Sequence, residues 1–144
     1  GPASSGGTQL PAGEASSLGE ANSAAAAVRD LHEKWKNNAS GFLGWVASKL
    51  PGTDASRYEN RANVAAQIVG SYLEGGKLME QDLIRYKAML PHAGELAETA
   101  RQKMDALVSM VANRQKGQKA ALAGAGFNVS GIPNASVTFT PGGK

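Results

Sequence analysis

The stretch that decides the fold is IVGSYLEGGKLMEQDLIRYKAMLP, which covers residues 68–91. Apolar residues recur at helical spacing before Gly75-Gly76 and again after the pair, until Pro91 stops the second run. Glycine adopts the left-handed backbone conformation that often follows a helix, so two adjacent glycines indicate a reversal between helices. The stretch therefore predicts an αα-hairpin that spans Tyr58–Leu90 and turns at the glycine pair.

A first helix is predicted upstream of the hairpin. Apolar residues repeat every three or four positions from Leu18 to Trp35, the period of one helix face. Ser17 followed by Glu20 matches the capping box, in which each side chain satisfies a backbone amide at a helix start. We therefore expect this helix over Ser17–Asn37.

Further helices are predicted on both sides of the glycine turn. The arms of the hairpin are Asp54–Glu74 and Met79–Leu90, and a short buried helix is expected within Phe42–Leu50. A last helix should run from Gly94 to Leu122, although glycine at position 117 weakens its end. The chain thus reads as an all-α fold, a small bundle of four to five helices with extended or disordered termini.

One domain is expected from 144 residues, and its boundaries follow from composition. Residues 1–16 resemble a protease-cleavage scar with a flexible lead, which leaves open that the chain is part of a longer protein. Residues 17–123 form the predicted helical domain. Residues 124–144 are rich in glycine and proline and are predicted to be extended or disordered.

Composition excludes several classes of protein. The chain has no cysteine, which rules out disulfides, thiolate catalysis and cysteine-ligated zinc. It has no run close to the ~20 apolar residues of a membrane span. Much of its apolar content is alanine, which favours helix but buries little area, so we expect a thin core.

Catalytic chemistry is not indicated by the sequence. The chain has two histidines, of which His32 lies at the edge of the first helix's apolar stripe and His92 follows Pro91 in a loop. Neither belongs to a recognisable nucleophile or metal-binding motif, and both are interpreted as packed or solvated polar residues. We predict no enzyme, no catalytic, cofactor or metal-binding residues and no small-molecule substrate.

Three groups of residues are candidates for interaction with a partner. The first is a crowded apolar segment that either shares a core with Trp35 or forms an exposed patch. The second is basic, because residues 101–144 carry six lysines and arginines against one acid, a net of +5. The third is a short predicted strand that needs an edge from elsewhere. In that order, the groups are Phe42, Leu43 and Trp45; Arg114, Lys116 and Lys119; Val137 and Phe139.

Two stretches together resemble a known family. LPAGEASSLGEA at residues 10–21 and the hairpin at residues 68–91 are similar to the helical C-terminal segments of long virion-associated proteins of tailed bacteriophages and prophages. The resemblance covers Leu10–Arg114 and brings no catalytic residues with it. It implies a structural or DNA-delivery component of the virion, present in the host cytoplasm during assembly. Its partners would be other virion proteins or copies of itself.

An alternative function follows from the charge of the last segment. A basic helical domain would attract phosphate groups and could contact nucleic acid during packaging or ejection. The competing interpretation is a solvated helix face with scattered lysines. Retardation of nucleic acid in a gel at low salt distinguishes these two interpretations.

Overall fold

Helix dominates the described part of the chain, as the apolar periodicity predicts. The computed structural model describes residues 7–38, 46, 49–50 and 54–136. The elements are β1 (Thr8–Gln9), α1 (Ala12–Asn38), α2 (Asp54–Leu73), α3 (Glu80–Ala88), α4 (Ala97–Gly124) and β2 (Phe127–Asn128). The predicted all-α fold is confirmed. The helix expected within Phe42–Leu50 falls largely outside the described residues.

The core is assembled around α1, which packs against both α2 and α4, while α3 packs on α2. Small side chains line the contact between α1 and α2, so the two helices approach closely. Large buried groups fill the space nearer the helix ends. The buried alanines of the two helices are Ala21, Ala24, Ala25, Ala62, Ala65 and Ala66, and the bulkiest buried residues are Trp35, Tyr58 and Tyr86.

The glycine turn has the predicted geometry. Gly75 and Gly76 have φ of +70° and +94°, a region that residues with a Cβ atom rarely adopt. The Gly76 amide donates to the Ser71 carbonyl at 2.7 Å, which closes the end of α2. On the return, the Tyr86 hydroxyl donates to Glu74 Oε2 at 2.6 Å and ties α3 to the turn. The αα-hairpin is therefore confirmed.

Two aromatic hydrogen bonds fix the loop after α3. Trp35 Nε1 donates to the His92 carbonyl at 3.0 Å, and the Tyr58 hydroxyl donates to the Pro91 carbonyl at 2.6 Å. Both donors are almost fully buried, where a polar group without a partner would be costly. The loop is thereby held against the end of α1 and the beginning of α2.

The predicted start of the first helix is wrong. The helix begins at Ala12, and the Ala15 amide donates to the Pro11 carbonyl at 3.0 Å. Ser17 and Glu20 therefore lie within the helix and do not form its capping box. Gln115 of α4 donates to the Leu18 carbonyl at 2.9 Å, which joins α4 to α1 close to this end of the helix.

Parts of both predicted terminal segments contact the bundle or each other. Residues 8–9, within the predicted lead, pair in parallel with residues 127–128. Residues 129–136 then fold back onto the bundle, and Ala135 is buried. The Ala135 amide donates to Gln115 Oε1 at 2.8 Å, while Asn22 Nδ2 donates to the Pro133 carbonyl at 3.0 Å. These contacts join segments far apart in sequence, so local composition does not reveal them.

Three apolar residues inside the predicted helices are exposed. Leu96 falls within the predicted last helix, Gly94–Leu122, but is the N-cap of α4 and is 71% exposed. Met79, the first residue of the predicted second arm, caps α3 in the same way and is also exposed. Ile68, within the predicted first arm, is 41% exposed. The first two are displaced because the helices begin later than predicted, whereas Ile68 lies on a second apolar edge of α2.

Candidate interaction surface

Five of the eight residues predicted to interact with partners lie outside the described residues. They are Phe42, Leu43, Trp45, Val137 and Phe139. The other three predicted residues, Arg114, Lys116 and Lys119, are all on α4. The structure separates these three rather than joining them in one basic patch.

Arg114 faces α2. Its guanidinium carbon lies 5.4 Å from the centre of the Tyr72 ring, a geometry that favours a cation over the negative face of the aromatic ring. The Tyr72 hydroxyl donates to Gln118 Oε1 at 2.5 Å, and burial raises the pKa of that hydroxyl. Arg114 therefore helps to hold α2 against α4, although its side chain stays exposed.

Lys119 faces the folded-back tail. Its ammonium donates to the Ile132 carbonyl and, at 2.8 Å, to Asn134 Oδ1. Loss of solvent at this site lowers the pKa of the ammonium group. Lys116 is exposed. Of the three predicted basic residues, two are thus engaged in contacts within the chain.

The remaining basic residues in the first half of α4 have acidic partners. Arg101 lies 2.7 Å from a carboxylate oxygen of Glu98 and 3.4 Å from one of Asp105. Lys103 Nζ lies 2.8 Å from Glu95 Oε2. A phosphate group would have to displace these carboxylates, so the net charge of the segment overstates its attraction for nucleic acid.

The two histidines contact neighbouring side chains of the same chain. His32 is buried and stacks on Trp35 with ring centroids 6.1 Å apart; burial lowers the pKa of its imidazole below the usual 6.5. His92 is exposed, with Nε2 3.2 Å from Glu95 Oε2. Among the described residues, no group of three or more histidine and carboxylate side chains could hold a metal ion.

An apolar groove lies between α1 and α2, and the sequence did not predict it. Val64 is 54% exposed and Ile68 41% exposed, one helical turn apart on α2. They form one wall of a groove of about 340 Å³. Ala27, Leu31 and Ala65 complete its apolar lining. We call these five residues the α1–α2 groove. A contiguous exposed apolar patch is a candidate for an interaction site.

The groove continues along the surface toward the glycine turn. Ile68 also lines a second cavity, together with Glu20, Ser23 and Ser71. Since early residues of α1 share a cavity with late residues of α2, the two helices run antiparallel. The surface beside α2 therefore consists of two adjoining cavities that share Ile68, with polar residues toward both ends.

The sequence of α2 contains a second set of apolar residues at helical spacing, which corresponds to this surface. Val64 and Ile68 lie on a different face of α2 from Tyr58, Ala62 and Val69, which form the buried stripe. A helix with two apolar edges buries one of them in its own bundle and leaves the other for a further contact. The sequence alone does not reveal which of the two edges is buried, because both have helical spacing.

Comparison of the chain with protein-family models, curated proteins and solved structures found no match in any of the three. Each helix that the structure describes is too short or too polar to cross a bilayer.

Proposed function

We propose that the chain is a structural interaction module of a bacteriophage virion or ejection apparatus, and that it acts through protein–protein assembly. The observation that supports assembly is the α1–α2 groove, in which Val64 and Ile68 are exposed on a packed pair of helices. The resemblance of residues 10–21 and 68–91 to virion-associated proteins supports a role in the virion or ejection apparatus. The module would reside in the virion and pass through the host cytoplasm during assembly.

Incorporation into particles tests this proposal. The chain, in its natural protein context, carries an epitope tag in cells that produce the phage, and gradient-purified particles are analysed by quantitative mass spectrometry. We expect a fixed number of copies per particle. Particles of normal composition that lack the protein would overturn the proposal.

A pair of matched variants tests the role of the groove in incorporation. Ile68→Glu places a charge on the groove, whereas Ile84→Glu makes the same change on α3, where the side chain is 64% exposed. Burying an unpaired carboxylate in an interface is costly. Copy number should therefore fall in the first variant only, with the helical content of both unchanged.

Contact with nucleic acid is the second candidate function, and the observation in its favour is the exposure of Lys116 and Arg114 on α4. Pairing of Arg101 and Lys103 with carboxylates argues against it. A gel-shift series from low to physiological salt with duplex and single-stranded DNA discriminates the two functions. Retardation that weakens with salt and is lost in Lys116→Ala/Arg114→Ala would favour the second function.

A further inference from the structure

The middle of the whole surface, which comprises the α1–α2 groove and the adjoining cavity, lies where the two meet at Ile68. Ala27 of α1 and Ile68 of α2 line the same cavity, and Val64 extends the apolar surface by one turn. Asp30, which also borders the groove, forms an ion pair with Arg29 at 3.6 Å. The centre therefore offers apolar area with its nearest acid already partnered.

The two ends of the same surface carry opposite charges. Lys34 and Arg61 border the groove at one end, and Glu20 borders the adjoining cavity at the other. Within the described ranges, none of these three side chains has an ion-pair partner within 4 Å. The charges of the surface are thus available to a partner, unlike those of Arg101 and Lys103 on α4.

The spacing of these charges is symmetrical about the centre. Glu20 lies seven residues before Ala27, and Lys34 lies seven residues after it. Seven residues are about two turns, or roughly 10 Å along the helix, and they return the side chain to nearly the same face. Glu20, Ala27 and Lys34 therefore form one line about 20 Å long, with unlike charges at equal distances from its midpoint.

From this symmetry we infer that the α1–α2 groove binds a second copy of the chain, in an antiparallel dimer whose two-fold axis passes close to Ala27. A two-fold operation reverses the helix direction, so Lys34 of each copy faces Glu20 of the other. The same operation brings the two copies of Ile68 together in the middle, with Val64 of each copy about one helical turn, roughly 6 Å, to either side. This inference rests on the proposed function, because it names the partner of that interaction surface.

The dimer should be weak. A face two helices wide and about 20 Å long covers roughly 400 Å², about half of the roughly 800 Å² per partner that a stable interface buries. Association is therefore measured by sedimentation equilibrium on the full chain, from micromolar to submillimolar concentration. We expect a monomer–dimer equilibrium in that range. A monomer mass throughout would overturn the inference.

The apolar centre is tested by the matched pair Ile68→Glu and Ile84→Glu. Because the axis brings the two copies of residue 68 together, a carboxylate there meets its own like charge. Ile68→Glu should raise the dimer Kd by about thirtyfold or more, while Ile84→Glu leaves it unchanged. Circular dichroism confirms that both variants fold. Equal effects of the two variants would contradict the proposed face.

The charged ends are tested by reversal and exchange. Lys34→Glu alone and Glu20→Lys alone each place like charges together twice per dimer and should weaken association by about three- to tenfold. The double variant Lys34→Glu/Glu20→Lys restores opposite charges and should recover the wild-type Kd. Failure of the double variant to recover association would show that these residues do not face each other.

The two proposals fail in different ways. Loss of self-association in solution overturns the two-fold dimer but does not change whether particles contain the protein. Particles without the protein overturn the virion role but do not move the dimer Kd. If the wild type is a monomer and Ile68→Glu still reduces incorporation, the groove binds another virion protein and the dimer is wrong.

Discussion

Replacement of Gln115 by leucine tests whether the folded-back tail is held by hydrogen bonds. Gln115 is 1% exposed, and its side-chain amide makes three contacts. Nε2 donates to the carbonyls of Leu18 at 2.9 Å and Pro133 at 3.1 Å, and Oε1 accepts from the Ala135 amide at 2.8 Å. One side chain thereby connects α4 with the start of α1 and with the tail.

The expected magnitude follows from these contacts. Leucine has a similar volume, so the substitution removes hydrogen bonds without opening a large cavity. Each lost bond costs about 0.5–1.5 kcal/mol net, and a buried amide such as that of Ala135 costs about 1–3 kcal/mol when it loses its acceptor. Since these terms overlap and leucine gains some apolar burial, we expect the tail to dock about 2–4 kcal/mol less favourably.

Hydrogen exchange followed by NMR measures this docking directly. The Ala135 amide should exchange about thirty- to a thousandfold faster in Gln115→Leu, because the tail opens without unfolding of the bundle. The control is Gln102→Leu, an exposed position on the same helix whose amide contacts only Glu98 Oε2, at 3.2 Å, in the described structure. Unchanged exchange in Gln115→Leu, or an equal change in the control, would refute the reasoning.

Three further predictions concern the turn, the buried histidine and the loop after α3. In thermal denaturation, Gly76→Ala should cost about 1 kcal/mol because φ is +94°. Gly117→Ala, where a Cβ meets no described atom within 4 Å, should gain about 0.5–1 kcal/mol; shifts of the same sign would contradict the turn. Burial lowers the pKa of His32, so below pH 6.5 the unfolded chain binds the proton more readily and stability falls as pH falls. His32→Phe should flatten this decline in urea titrations, and an unaltered slope would exclude His32 as its source. Tyr58→Phe removes the hydrogen bond to the Pro91 carbonyl and should lower the free energy of unfolding by about 1–2 kcal/mol, with an unchanged urea midpoint as the opposing result.

The helices and the hairpin could be predicted from sequence because their causes are local. Apolar residues at a period near 3.6 define a helix face, and the pair Gly75-Gly76 permits positive φ wherever the rest of the chain lies. The predicted bounds of α2, Asp54–Glu74, differ from the observed Asp54–Leu73 by one residue. The alanine content of the core was also foreseeable, since alanine supplies so many of the apolar positions.

The candidate interaction surface depends on which helix faces are covered by other helices. Periodicity does not reveal which faces are covered. Val64 and Ile68 have the same spacing as buried residues of α2, yet they remain exposed because none of the described helices packs over them. The basic residues of α4 show the same limit. The sequence contains their charge, but only the fold brings Lys103 to Glu95 and Lys119 to the tail.

The packing of the two terminal segments was likewise decided by contacts between distant residues. By itself, the sequence determined where helices form and where the hairpin turns, since those depend on neighbours within a few positions. Only the tertiary structure decided that the tail docks, because docking depends on Gln115, which lies 97 residues from Leu18 and 20 from Ala135. A buried amide must find partners wherever the fold supplies them, and no local pattern specifies which backbone groups those will be.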